Sequence, residues 1–301
     1  MLNENVIGVV GAETMGSGIA IVGLQSGFET WLLETDQEHL DAGMNRIRQF
    51  FDGSVKRGKL SSDQRDSVLL KLHPTTKAGE LHECGYLIEA IVEDVEMKRS
   101  LFHDMNAILH PDALFLTNTS TLSVTSIAHG TGREDRVVGM HFCNPAPLMK
   151  LVEISKGLMT SDRSVEATKG LAKRCYKTFV VTLGTPGFIL NDFLIPFEND
   201  SIRALEEGMA TVEDIDTAIK TGLGYPMGTF ELLDTVELDV HYAVSVRLYE
   251  KLHGPRFCLS PIGSAHDTKS RRTQDRAGIL SLWRGGGFRW VNLIGTVGLL
   301  G

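Results

Sequence analysis

One stretch of the chain, GMHFCNPAPLMKLVEIS, brings together His141, Cys143, Asn144 and Glu153, residue types suited to proton transfer. A histidine titrates near neutrality, so His141 suits removal of a proton from an alcohol. Glu153, on the apolar run that follows, could hold the other ring nitrogen and steady an imidazolium. The same histidine could serve a thiol, because Cys143 lies two residues on and would share its face in a strand. A buried packing thiol is the competing account of Cys143. A second group, Asn118-Thr119-Ser120-Thr121, closes another apolar run. Its hydroxyls and amide could hold a carbonyl or hydroxyl oxygen, or simply cap the next helix. Asn191 adds an uncharged donor and acceptor, or a helix-end asparagine, after the glycine-rich GTPGFIL.

These side chains need a scaffold, and local spacing predicts one. Val6 to Val10 is a short apolar run ending in glycine, a buried strand. Thr14 to Ser26 carries Met15, Ile19 and Val22 at helical spacing and stops near Gly27. Thr30 to Leu33 is a second strand, closed by Glu34, and Asp36 stands as the cap of a helix from about Gln37 to Val55. Strand, glycine turn, helix, strand and acid make a βαβ unit. Its turn, Gly11-Ala12-Glu13-Thr14-Met15-Gly16, has the first and third glycines of a dinucleotide-binding turn and a glutamate in place of the second. Backbone N–H groups and the helix N-terminus can approach a pyrophosphate there. Glu34 stands where an acid accepts both ribose hydroxyls, which selects NAD over a cofactor with a 2′-phosphate. An ordinary glycine-bearing turn is the other account of the same residues.

Further along, Tyr86–Val92, Ala113–Leu116, Arg136–Phe142, Lys150–Ile154 and Phe179–Thr182 read as strands, with a helix over Glu96–Ile108. This alternation predicts an α/β domain with a mostly parallel, doubly wound sheet covered on both faces. Asn118 to Thr121 then fall at the carboxyl end of a strand, the edge where open α/β sheets bind ligands. After Gly184 the pattern turns helical as far as about Leu252. The expected division is an α/β domain over 1–184, an all-helical domain over 185–260, and an atypical tail over 261–301 with clustered arginines and glycines.

The 301 residues leave room for two domains, and a net charge of -8 argues against a nucleic-acid binder. Four scattered cysteines weigh against a disulfide framework and a zinc site, so no metal is expected and the compartment reads as reducing. Neither a signal peptide nor a long charge-free apolar run is readable, so no membrane partner is expected and the cytoplasm is the expected location.

GMHFCNPAPLMKLVEI, TNTST, GTPGFILN, EEGMATVEDID and GLGYPMG follow one another in an order and spacing that resemble the short-chain L-3-hydroxyacyl-CoA dehydrogenases. The likeness is to the bacterial 3-hydroxybutyryl-CoA dehydrogenases in particular and covers roughly residues 5–260. It implies a Rossmann-type domain, a helical dimerisation domain forming a homodimer, and reversible oxidation of an acyl-CoA substrate, an L-3-hydroxyacyl-CoA, by NAD. By the same resemblance His141 is the base and Glu153 the acid paired with it, while Ser120 and Asn191 surround the reacting oxygen and the histidine. Glu34 takes the place of the ribose-binding acid, usually aspartate. Glu93, Lys98, Asn118, Ser120 and Asn144 match positions lining the cofactor, and Ser54 matches a coenzyme A contact. The rival readings are a related hydroxy-acid dehydrogenase of the lambda-crystallin type and a catalytically weakened structural homologue.

Two departures from the family pattern stand out. Glu13 replaces a glycine and sets a carboxylate beside a negative ligand. At an effective dielectric of ~20 and a separation of ~4 Å such a pair costs about 4 kcal/mol before relaxation. The family also ends in a segment of the form G-R-K-T-G-x-G-F-Y, and nothing of that form follows Pro261. Residues Thr273 to Ser281 admit codons that, moved by one base, read R-K-T-G-Q-G-F-Y. A frameshift after about Pro261 is therefore the expected origin of the tail, a divergent natural tail being the other account; a frameshift would leave Trp283, Phe288 and Trp290 exposed as an aggregation risk.

Overall fold

The computed structural model describes residues 2–258 apart from 237. The atypical tail and its proposed frameshift lie outside the described residues. The chain divides into two compact units, residues 1–189 and the part beginning at Leu190, so the first unit ends five residues beyond Gly184, the glycine expected to mark the boundary.

The first unit holds eight strands: β1 (Val6–Val10), β2 (Glu29–Leu33), β3 (Leu72–Thr75), β4 (Tyr86–Glu89), β5 (Leu114–Thr117), β6 (Val137–Phe142), β7 (Leu151–Lys156) and β8 (Thr178–Leu183). They form one sheet in the order β3-β2-β1-β4-β5-β6-β7-β8. Every neighbouring pair is parallel except β6 and β7, which run antiparallel. Its helices are α1 (Thr14–Gln25), α2 (Gln37–Lys56), α3 (Ser62–Leu69), α4 (Val95–Asn106), α5 (Val124–Ala128) and α6 (Asp162–Arg174).

The two-residue period of the strands sorts their side chains onto two faces. Ile7, Val9, Ile88 and Leu116 pack with Ile19 and Val22 of α1, Ile47 and Phe51 of α2 and Leu171 of α6. Val6, Val10, Leu87 and Phe115 point the other way, onto Phe102 and Met105 of α4 and Ile127 of α5. Burial on both sides is why these strands read as unbroken apolar runs. As expected, the Asp36 carboxylate caps α2, accepting from the His39 N–H at 3.0 Å. The helix α3 and the edge strand β3 have no counterpart in the sequence reading. The β3 run, Leu72-His73-Pro74-Thr75, is short, polar and interrupted by proline, which an edge strand tolerates.

The second unit is helical over its described residues: α7 (Leu190–Glu206), α8 (Val212–Gly222), α9 (Thr229–Val236) and α10 (Leu238–Leu252). Asp216 on α8 accepts from the N–H groups of Phe230 at 2.8 Å and Glu231 at 3.1 Å, capping α9. A Cβ on Gly228 would lie 2.2 Å from the Asp216 carboxyl carbon, so the glycine of the Tyr225–Gly228 turn makes room for that cap. Between α7 and α10, His241 reaches Glu198 Oε2 from Nδ1 at 2.9 Å and Asn199 Oδ1 from Nε2 at 3.1 Å. Glu198 and His241 are 3% and 4% exposed, so neither has water as a substitute partner. Glu198→Ala is expected to lower stability by about 3 kcal/mol, because one half of a buried pair is left uncompensated. Denaturant unfolding checks this; a change indistinguishable from zero would show that the pair contributes nothing net.

Candidate active site

The parallel pairing of β1, β2, β4, β5 and β6 sends all of their carboxyl ends to one edge of the sheet. At the end of β1, Gly11 has φ +97° and a Cβ there would meet Ala90 O at 2.6 Å. A Cβ on Gly16 would fall 1.8 Å from Gly11 O. These two positions therefore demand glycine, and the turn folds tightly onto the start of α1 with Ala12 buried and Glu13 and Thr14 exposed. No side chain caps α1, so its N-terminus keeps the dipole and the backbone donors that suit a phosphate. Glu34, at the end of β2, accepts from Ala12 N–H at 2.8 Å through one oxygen and from Thr35 N–H at 2.7 Å through the other. Cradle, helix end and acid together fit a dinucleotide. Glu13 is the one residue of the cradle at odds with that fit. Its φ of -69° and ψ of -168° are ordinary extended backbone.

His141 and Glu153 face each other across the antiparallel β6–β7 pair. The imidazole Nδ1 lies 2.9 Å from Glu153 Oε2 and Nε2 lies 3.1 Å from Ser120 Oγ. Glu153 is fully buried and its other oxygen accepts from Ile189 N–H at 2.9 Å. A carboxylate can only accept at Nδ1, so that nitrogen carries the ring proton and Nε2 presents its lone pair toward Ser120. Phe188 stacks on the imidazole, with ring centroids 5.1 Å apart and planes 17° from parallel. The ring is thus fixed in tautomer by Glu153 and in plane by Phe188. Asn118 follows β5 and its Oδ1 accepts from Phe142 N–H at 2.9 Å, tying the end of β5 to the end of β6 next to His141.

The remaining expected residues are distributed less evenly. Glu93 and Lys98 meet Glu89 in one charge network under the Ser120 loop, with Lys98 and Glu89 buried and Glu93 partly exposed. Asn144 is exposed in the turn after β6. Ser54 is 6% exposed on α2 and its hydroxyl returns to Phe50 O at 3.0 Å, an ordinary back-bond within a helix. Asn191 sits in the first turn of α7, in the second unit. Sequence reading missed Glu89 and Phe188. A lone acid closing the apolar run of β4, as Glu34 closes β2, was the available signal for Glu89. Phe188 lies within GTPGFILN but carries no polar chemistry that would mark it as part of a site.

Cys143 does not form a nucleophilic pair with His141, whose two nitrogens already face Glu153 and Ser120. Burial, with the Glu153 charge adding to it, pushes the Cys143 thiol up to about 11. A thiol so protonated is a poor nucleophile. Of the four cysteines only Cys258 is exposed. Iodoacetamide at mildly alkaline pH is expected to label Cys258 and leave activity intact; inactivation tracking with Cys143 labelling would overturn this. Among the described residues no cluster of histidine, cysteine, aspartate and glutamate could hold a metal ion, and no helix is long and apolar enough to cross a membrane.

Comparison with known proteins places the chain among related sequences and structures. The family model described as 3-hydroxyacyl-CoA dehydrogenase, NAD binding domain, matches residues 6–185, and the one described as 3-hydroxyacyl-CoA dehydrogenase, C-terminal domain, matches residues 187–275. A probable 3-hydroxybutyryl-CoA dehydrogenase of Deinococcus radiodurans is 36% identical over 281 residues, covering 93% of this chain and 98% of the relative. The crystal structure of FadB2 of Mycobacterium tuberculosis superposes with a TM-score of 0.86 at 34% identity, over 90% of this chain and 96% of that one. The (S)-3-hydroxybutyryl-CoA dehydrogenase PaaH1 of Ralstonia eutropha gives a TM-score of 0.84 at 31% identity, over 89% and 95%.

Proposed function

The chain belongs to the 3-hydroxyacyl-CoA dehydrogenase family, and from that premise we propose that His141, Glu153 and Ser120 carry out its reaction. That reaction is the NAD-dependent oxidation of a 3-hydroxyacyl-CoA to the 3-oxoacyl-CoA. The observation that carries the assignment is the chain of contacts from Ser120 Oγ through the imidazole to Glu153, at 3.1 and 2.9 Å.

When bound, NAD supplies the hydride acceptor for C3 of the substrate. Gly11, Ala12, Thr14, Met15 and Gly16 would hold its pyrophosphate, and Glu34 its ribose by exchanging its backbone partners for hydroxyls. His141 Nε2 takes the proton of the 3-hydroxyl as the C–H bond breaks, and Glu153 stabilises the imidazolium that results. Ser120 Oγ donates to the substrate oxygen beside Nε2 and orients its lone pairs. In reduction the same imidazolium returns its proton to the developing alkoxide. Asn118 holds the ends of β5 and β6 together, and Asn144 and Asn191 are assigned by family resemblance alone.

A homodimer and a cytoplasmic location extend the proposal. The four scattered cysteines, with no C-x-x-C spacing among them, support a reducing compartment, and sedimentation equilibrium of the purified chain tests the dimer. The reaction itself is tested by following NADH oxidation with acetoacetyl-CoA beside free acetoacetate. Turnover with the thioester and little with the free acid is the expected result. The reverse preference would move the chain to the free hydroxy-acid dehydrogenases.

A further inference from the structure

The three residues assigned to proton transfer are all met by one short segment, Gly187-Phe188-Ile189, between β8 and α7. Gly187 N–H donates to Ser120 O at 3.2 Å. The Phe188 ring lies flat on the His141 imidazole, with centroids 5.1 Å apart and planes 17° from parallel. Ile189 N–H donates to Glu153 Oε1 at 2.9 Å, the oxygen not bonded to the imidazole.

Local chemistry bends the segment into this shape. Pro186 and Gly187 are the residue types a type II turn takes at its two central positions. Gly187 has φ +88°, and Phe188 N–H closes the turn on Thr185 O at 3.2 Å. Phe188 itself then stays left-handed, at φ +54°. A bulky side chain at positive φ is an outlier, kept only where its surroundings over-determine it. Glycine would take that backbone at lower cost, so what the phenylalanine adds there is its ring. The residue is 3% exposed. Its ring fits a shelf on β6, where a Cβ on Gly139 would lie 3.4 Å from Phe188 Cε1. His141, two residues on, shares that face of the strand.

The stack does what the hydrogen bonds on the imidazole cannot. In the resting site Glu153 holds Nδ1 and Ser120 meets Nε2, so the ring is held at two points. During turnover Ser120 Oγ turns to the substrate oxygen, which leaves Glu153 as the one protein hydrogen-bond partner of the ring. The outer torsion of a histidine side chain is broad. The imidazole could then swing about that single bond and carry the Nε2 lone pair away from the substrate proton. A flat ring against one face stops the swing. On the reading of His141 as the base, we propose that Phe188 is a positioning residue for it. The left-handed segment 187–189 is the template that holds His141, Glu153 and Ser120 in one alignment. Misplacement of a reacting group by about 1 Å can cost roughly a hundredfold in rate, which sets the size of the effect.

The test uses three variants. Phe188→Leu keeps an apolar side chain without a flat face, and Phe188→Asn removes the ring but tolerates left-handed backbone. Gly187→Ala keeps the ring and strains the backbone that carries it, at φ +88°. Each is compared with wild type for kcat and KM with acetoacetyl-CoA, NADH dissociation by fluorescence and melting temperature. The downfield proton resonance of the His141 Nδ1–H, identified by its absence from His141→Gln, completes the set. The expected result is a fall in kcat of about ten- to a hundredfold in Phe188→Leu and Phe188→Asn, and a smaller fall in Gly187→Ala. KM and the NADH dissociation constant stay at their wild-type values, and the resonance broadens in all three. Wild-type kcat and resonance in Phe188→Leu would show that apolar filling suffices and would overturn the proposal. A kcat loss that simply tracked melting temperature across the variants would overturn it too, leaving a structural residue. So would NADH binding weakened by roughly tenfold or more, which would make the segment part of the cofactor site. Should Phe188→Asn fail to fold, Phe188→Leu decides by the same readings. A His141→Gln enzyme as fast as wild type refutes the reading of His141 as the base, while the resonance still decides whether Phe188 holds the imidazole.

Discussion

His141→Gln is expected to lower the rate of acetoacetyl-CoA reduction by about a thousandfold, the middle of the usual range for loss of a general acid–base. Glutamine is close enough in size to stay beside Phe188, and its amide can still donate toward Glu153 or accept from Ser120. What it cannot do is exchange a proton with the substrate oxygen. The loss therefore falls on kcat, and NADH binding, which depends on the β1–α1 turn and Glu34, stays unchanged. Glu153→Gln should cost less: the imidazole remains, but a neutral amide stabilises imidazolium poorly and accepts or donates at Nδ1 without preference, so the tautomer is no longer fixed. Steady-state kinetics with saturating NADH makes the comparison. A His141→Gln enzyme within a few-fold of wild type would remove His141 from the reaction.

Glu13→Gly is expected to tighten NADH binding about tenfold, equivalent to about 1.4 kcal/mol. The backbone at Glu13 is extended with negative φ, unlike that of Gly11 at +97°. A glutamate is therefore accommodated without strain, and the fold carries no penalty for it; the penalty appears only when a diphosphate approaches. Because Glu13 is exposed, it can swing into water, which is why the expected gain is well below the full like-charge repulsion in the cradle. Screening gives a signature: the difference between the two proteins should shrink as salt rises past the point where the Debye length is about 10 Å. Fluorescence titration of NADH at low and high salt measures it. Equal affinities at low salt would show that Glu13 does not face the phosphates.

Much of the molecule is legible from local spacing. The run of β1, the helical stripe of α1, the acid that ends β2 and the cap of α2 each depend on residues a few positions apart, and steric and hydrogen-bonding rules act over that range. By residue type alone Ser120 reads equally as a helix cap and His141 as one histidine of ten; the family resemblance is what singles them out together with Glu153. What local spacing could not supply is their meeting. His141 opposes Glu153 only because β7 turns back antiparallel to β6, while Ser120 arrives from β5 through a separate crossover. Sheet order is settled by which apolar faces bury against one another, over separations that no window of sequence spans. The Lys98 network makes the same point from the opposite side. Glu93 and Lys98 match cofactor-lining positions by resemblance alone, and nothing local marks Glu89 as a partner; the packing of α4 against β4 and β5 is what removes the water around Glu89 and Lys98. Once that water is gone, the charges of Lys98 and Glu89 are answered by one another at 2.5 Å, a pairing that only the tertiary structure creates.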